Sequence, residues 1–120
     1  MSFTVHGIGV SDGIAIGPAQ LAAEGQLEVA HYSVPPSRVA EEVVRLEGAL
    51  AAVRREFQDL KAHIPAHAPA ELEAFLDVHM MILADATLSE RTAELIRSQQ
   101  CNAEWALKQQ ADALMAQFDR

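Results

Sequence analysis

Apolar positions through most of this chain recur at helical spacing. Val39, Val43, Leu46, Leu50, Val53, Phe57, Leu60 and Ile64 are separated by 4, 3, 4, 3, 4, 3 and 4 positions. That alternation lines one face of an α-helix. It predicts a helix that ends before Pro65, entered through Pro35-Pro36-Ser37 with Ser37 as N-cap. At ~1.5 Å per residue it is roughly 40 Å long.

A second helical pattern runs from Ala70 to Ala84, with an inward stripe of Leu72, Leu76, His79 and Leu83 and with Phe75 on its flank. The stretch His79 to Leu88 is apolar on more than one side. At about 100° per residue Met81 falls opposite Leu72. The outward face therefore carries Val78, Met81 and part of Ile82, edged by Asp77 and Asp85. Such a face either packs on a later helix or docks a partner, and methionine suits an adaptable docking surface. Asp85 is placed to cap a third helix, Ala86 to Gln99, with Leu88, Leu95 and Ile96 as its apolar positions. Cys101-Asn102 breaks the pattern, and Asn102 is placed to cap a last helix that uses Leu107, Ala111, Leu114 and Phe118. That helix has no stop signal before the final residue, which reads as a fragment of something longer.

Residues 1–34 follow another rule. Phe3–His6, Ile14–Ile16 and Leu27–Tyr32 alternate or are β-like, and Gly7, Gly9, Gly13 and Gly17 punctuate them. They predict three short strands with turns. The fold class expected is mainly α: an antiparallel helical bundle or hairpin over 36–120, preceded by a short, incomplete β segment over 1–34.

Composition narrows the function. The chain has 120 residues, a net charge of −8 and few aromatics. One domain's worth of chain is the prior at this length. So few cations argue against nucleic-acid binding, and an acidic surface favours a basic partner. Cys101 is the lone cysteine, so neither a disulfide nor a cysteine-based zinc site follows; it reads as a small apolar filler or a surface thiol. No signal peptide or membrane-length apolar run is present. A cytoplasmic protein is expected.

The candidates for chemistry are weak. Gly7 to Gly13 has Asp12 where a dinucleotide fingerprint needs glycine, lacks a Gly-Lys-Ser/Thr ending, and reads as a turn. His63 and His67 are four apart, but Pro65 lies between them and no Glu follows His63, so they read as connector residues. His79 reads as packed and hydrogen-bonded. Ser11 and Ser37 have no base nearby in sequence. No catalytic residue and no metal ligand is assigned.

Three motifs in order nevertheless resemble one family. Gly7-Ile8-Gly9-Val10-Ser11-Asp12-Gly13-Ile14-Ala15-Ile16-Gly17 is similar to the opening motif of the enzyme I family of bacterial phosphotransferase systems. The run Ala74-Phe75-Leu76-Asp77-Val78-His79-Met80-Met81-Ile82-Leu83-Ala84-Asp85 resembles its second signature, and Asn102-Ala103-Glu104-Trp105-Ala106 the start of its next helix. The resemblance implies a phosphoenolpyruvate–protein phosphotransferase. Such an enzyme takes a phosphoryl group from phosphoenolpyruvate onto a histidine and passes it to the carrier protein HPr in sugar uptake. Residues 1–34 would open an α/β phosphohistidine domain, and 36–120 would form most of an inserted helical domain that docks HPr.

None of the five histidines matches the family's active one. That histidine, and a barrel that binds phosphoenolpyruvate and magnesium, are implied downstream. Carried across by position, Met81, Ile82, Leu88 and Phe118 would be apolar contacts to HPr, with Glu71 and Asp77 supplying negative charge. Two departures stand out: Asp12 where many members have Pro, and Ala86 and Thr87 where many have carboxylates. The start at Met1 favours the sugar branch; a nitrogen-branch or fused form shares these motifs. The alternative without the resemblance is a free-standing module that pairs through its seam as an intermolecular coiled coil. The β segment, short of partner strands, is expected to lie on the helices or to swap into a homodimer or strand-swapped oligomer.

Overall fold

The structure is a computed structural model that describes residues 2–21 and 27–119. A 3-10 turn at Pro36–Arg38 leads into four helices: α1 (Val39–Ala62), α2 (Ala70–Ala84), α3 (Ala86–Gln99) and α4 (Ala103–Phe118). The mainly helical class and the helix spans follow the periodicity closely. The entry to α1 does not. Ser37 lies inside the 3-10 turn, and the N-cap position falls to Arg38 with no side-chain cap bond. Pro35-Pro36 fixes the backbone ahead of Ser37 and starts the turn one step early.

The core gathers where three helices meet. Val43, Leu46 and Leu50 of α1 pack with Ala93 and Ile96 of α3, Cys101, and Ala103 and Ala106 of α4. Thr92 is also fully buried, its Oγ1 donating to the Leu88 carbonyl at 2.6 Å. The second half of the seam behaves differently. Val53 and Phe57 are half-buried and Leu60 is exposed. There α1 meets only α2, as an antiparallel hairpin. Arg54 directs Nε, at 2.7 Å, and Nη2 to the Leu83 carbonyl; Phe57 stacks on His79; Lys61 pairs with Asp77. Burial of the first half inside one chain removes the surface that an intermolecular coiled coil would need.

No strand forms among the described residues; the one ladder-like contact is an isolated antiparallel bridge between Ser33 and Cys101. The three expected strands are thus corrected. Phe3–His6 and Ile14–Ile16 are exposed coil, with a bend at Ser11–Gly13 where Gly13 takes φ 117°. Leu27–Tyr32 forms no ladder. A strand is stable only when its backbone groups find neighbouring strands, and these segments find none. Residues 22–26, between the second and third expected strands, lie outside the described residues. Residues 2–21 do not lie on the helices: every one is exposed.

Residues 30–34 do dock. The Val34 amide donates to the Gln100 carbonyl at 2.8 Å, and the Asn102 amide to the Tyr32 carbonyl at 3.2 Å. Asn102 precedes α4 as expected, but its side chain does not cap that helix. Glu42 does: its Oε1 accepts the Ala103 amide at 2.8 Å. Arg45 holds Glu42 at 2.5 Å and Glu104 at 2.7 Å. Cys101 is a buried filler, and burial pushes its thiol up.

Candidate functional site

Helix α2 begins after Pro69, with Glu71 and Glu73 in its first turn where the helix dipole favours negative charge. It ends at Asp85, whose extended backbone separates α2 from α3 by one residue. The Asp85 carboxylate accepts the Thr87 amide at 2.8 Å, capping α3 as the sequence predicts.

Only α1 covers α2 extensively, so one face of it is left open. Leu76 is buried, and Met80, His79 and Leu83 are half-buried toward α1. Leu72, expected on that stripe, is 44% exposed; it lies in the first turn of α2, after α1 has ended at Ala62. His79 is the packing residue expected. Its Nδ1 bonds the Phe75 carbonyl at 2.8 Å, so that nitrogen carries the proton. The ring lies 5.9 Å from Phe57 and 4.2 Å from Phe75.

Phe75, Val78 and Ile82 are more than half exposed, and Met81 is 73% exposed. They are spaced as one helix face, with Glu71 at its N-terminal end. Phe75, expected on the flank of the inward stripe, belongs to the outer face; its spacing of three and seven from Val78 and Ile82 is the signal that places it there. The fourth helix does not cover this surface, since α4 packs on α3 and α1.

The six residues assigned by position are not all brought together. Glu71, Met81 and Ile82 share the open face. Asp77 is spent within the chain: its Oδ1 sits 2.5 Å from Lys61 Nζ and holds that ammonium above its ordinary pKa, with Glu73 at 3.7 Å from the same nitrogen. Leu88 is 8% exposed, a core residue in this chain. Phe118 is 88% exposed but stands at the end of α4, a helix with no extended contact to α2.

His63 and His67 are exposed connector residues. Among the described residues no three His, Cys, Asp or Glu side chains converge as metal ligands. Among the described residues no helix is long and apolar enough to cross a membrane.

A family model described as PEP-utilising enzyme, N-terminal, matches residues 6–120. A phosphoenolpyruvate-protein phosphotransferase of Cupriavidus necator is 51% identical over 119 residues, 99% of this chain and 20% of that protein. Proteins of the same name from Streptococcus equinus and Geobacillus stearothermophilus are each 31% identical, over 119 and 116 residues. The chain spans about a fifth of the length of these relatives. No solved structure gives a significant match.

Proposed function

The chain belongs to the family of PEP-utilising enzyme N-terminal regions, and from that premise we propose that it is the N-terminal part of a phosphoenolpyruvate–protein phosphotransferase whose open α2 face docks the carrier HPr. The observation that carries this reading is the uncovered apolar strip of Phe75, Val78, Met81 and Ile82. A monomeric helix leaves such a strip in water only at a cost that docking recovers. Glu71 adds negative charge beside it, and the chain as a whole is acidic, which suits a basic carrier and speeds encounter.

The docking set differs in weight from the one carried over by position. Met81 and Ile82 are its centre. Leu88 is buried in α3 and lies outside the open face. Asp77 is spent on Lys61 and drops out of the set, and Phe118 reaches HPr only as a separate patch. Phosphoryl transfer from phosphoenolpyruvate, with magnesium, belongs to parts of the longer enzyme outside these residues. The cytoplasm is the compartment that fits a carrier-phosphorylating enzyme with one buried, unpaired cysteine.

Titrating the chain with HPr, followed by amide NMR shifts, tests the reading. The shifts are expected to map to α2. Met81→Ala should weaken binding roughly 5- to 30-fold, the scale of a central contact of about 1–2 kcal/mol, with an unchanged melting temperature. Unchanged affinity in both Met81→Ala and Val78→Ala would sink the proposal.

A further inference from the structure

We propose that Asn102 is a positioning residue that makes Ala30–Val34 part of the helical unit, so that Pro35-Pro36 lies inside that unit and is not a hinge at its edge. The sequence places the natural break at that proline pair, since prolines after an extended run mark a change of element. The geometry points elsewhere.

Asn102 is fully buried. Its Oδ1 accepts the Tyr32 amide at 3.0 Å, and its Nδ2 donates to the Ala30 carbonyl at 2.9 Å and to Glu104 Oε2 at 3.0 Å. The site thus requires an acceptor and two donors from one short side chain. Asparagine supplies both; aspartate lacks the donors, and an aliphatic residue lacks everything. The partners fix which end of the amide is which, because the Ala30 carbonyl only accepts and the Tyr32 amide only donates.

The clasp is braced on the far side. Glu104, which receives Nδ2, is held by Arg45, and Arg45 is held by Glu42, which caps α4. Three further contacts lie along the connector. The Val34 amide reaches the Gln100 carbonyl at 2.8 Å, the Val34 side chain is buried, and the His31 ring lies 4.5 Å from Trp105 at an interplanar angle of 17°. Residues 2–21 have no comparable cover. Backbone on both sides of the proline pair is therefore tied to the same helices. A hinge needs free dihedrals between two bodies, and Pro35-Pro36 has one body on either side of it.

Amide hydrogen exchange on the whole chain tests this. In the unsubstituted chain the Tyr32 and Val34 amides should be protected to within about tenfold of core amides of α3 such as Ile96, since all would open by the same cooperative unfolding. Asn102→Asp should lower their protection at least tenfold relative to Ile96. Pro36→Gly, which would loosen a hinge placed there, should leave the order parameters of 30–34 equal to those of the helices. The proposal fails if Tyr32 and Val34 exchange as fast as residues 2–21 in the unsubstituted chain. That measurement stands even if Asn102→Asp does not fold. It also fails if Pro36→Gly frees 30–34. Neither outcome depends on HPr.

Discussion

Two single residues in this chain carry opposite backbone errors. Gly48 lies within α1, and a Cβ built on it meets nothing within 4 Å. Gly48→Ala is expected to add about 0.5–1 kcal/mol by reducing the freedom of the unfolded chain. Gln100 ends α3 in the left-handed region, at φ 49° and ψ 48°, where a Cβ costs about 1 kcal/mol. Gln100→Gly should therefore also stabilise, although it moves in the reverse chemical direction. Thermal melts check both, each raising the midpoint by several degrees. Leu88→Ala should do the opposite. It hollows a buried site, costs about 2–5 kcal/mol, and lowers the midpoint whether or not HPr is present. Some residue roles were legible because they are local: Asp85 caps a helix that begins beside it. Asn102 and Glu42 were not legible in the same way. Their partners lie 70 and 61 positions distant, and no local pattern announces them.

At the scale of elements, the seam of α1 shows what periodicity does and does not encode. The spacing is uniform over eight positions, yet burial fails after Leu50. Spacing records which face points inward; how deeply it is buried depends on how many helices arrive, three-way at one end and two-way at the other. The N-terminal alternation shows the converse, since alternation without neighbouring strands leaves coil. The charged node between α1 and α4 has a pH signature. Arg45's hydrogen bonds hold the Glu104 carboxyl at about 2, from an ordinary 4.5, and hold Glu42 below its ordinary value, with the Ala103 amide adding to the effect. As pH falls, the unfolded chain takes up these protons first. The stabilisation is thus complete above about 4.5 and is lost toward about 2. Glu104's side chain is 48% exposed, so solvent screening limits its share to about 1 kcal/mol or less. Denaturant unfolding at pH 7, 4 and 3 should show a shallower pH slope in Glu104→Gln than in the unsubstituted chain.

For the whole molecule, the radius of gyration of 19.6 Å exceeds the about 14 Å of a compact domain of this length. The excess has two sources: an α1–α2 hairpin that extends beyond the three-helix core, and an N-terminal run with exposed Phe3, Val5, Ile8, Val10, Ile14 and Ile16. Deleting residues 2–21 should leave helical circular dichroism and the melting midpoint unchanged within about 2 °C, because a few tenths of a kcal/mol is the scale of uncontacted surface. The intact chain is expected to self-associate with rising concentration in sedimentation velocity, and the same deletion to abolish that association, since it removes the unpaired apolar run. Association that persists would place the sticky surface on the helices instead.

The cap that Glu42 provides to α4 bears on the order in which the chain folds. A cap supplied by the preceding residue forms with its helix, within about a microsecond. This one closes a loop across 61 positions, so loop entropy is met before the cap gives anything back. The last helix therefore gains its amino-terminal stabilisation only after α1 is formed and in place. Helix completion and tertiary docking become one event, and α4 loses its amino-terminal cap when α1 unfolds.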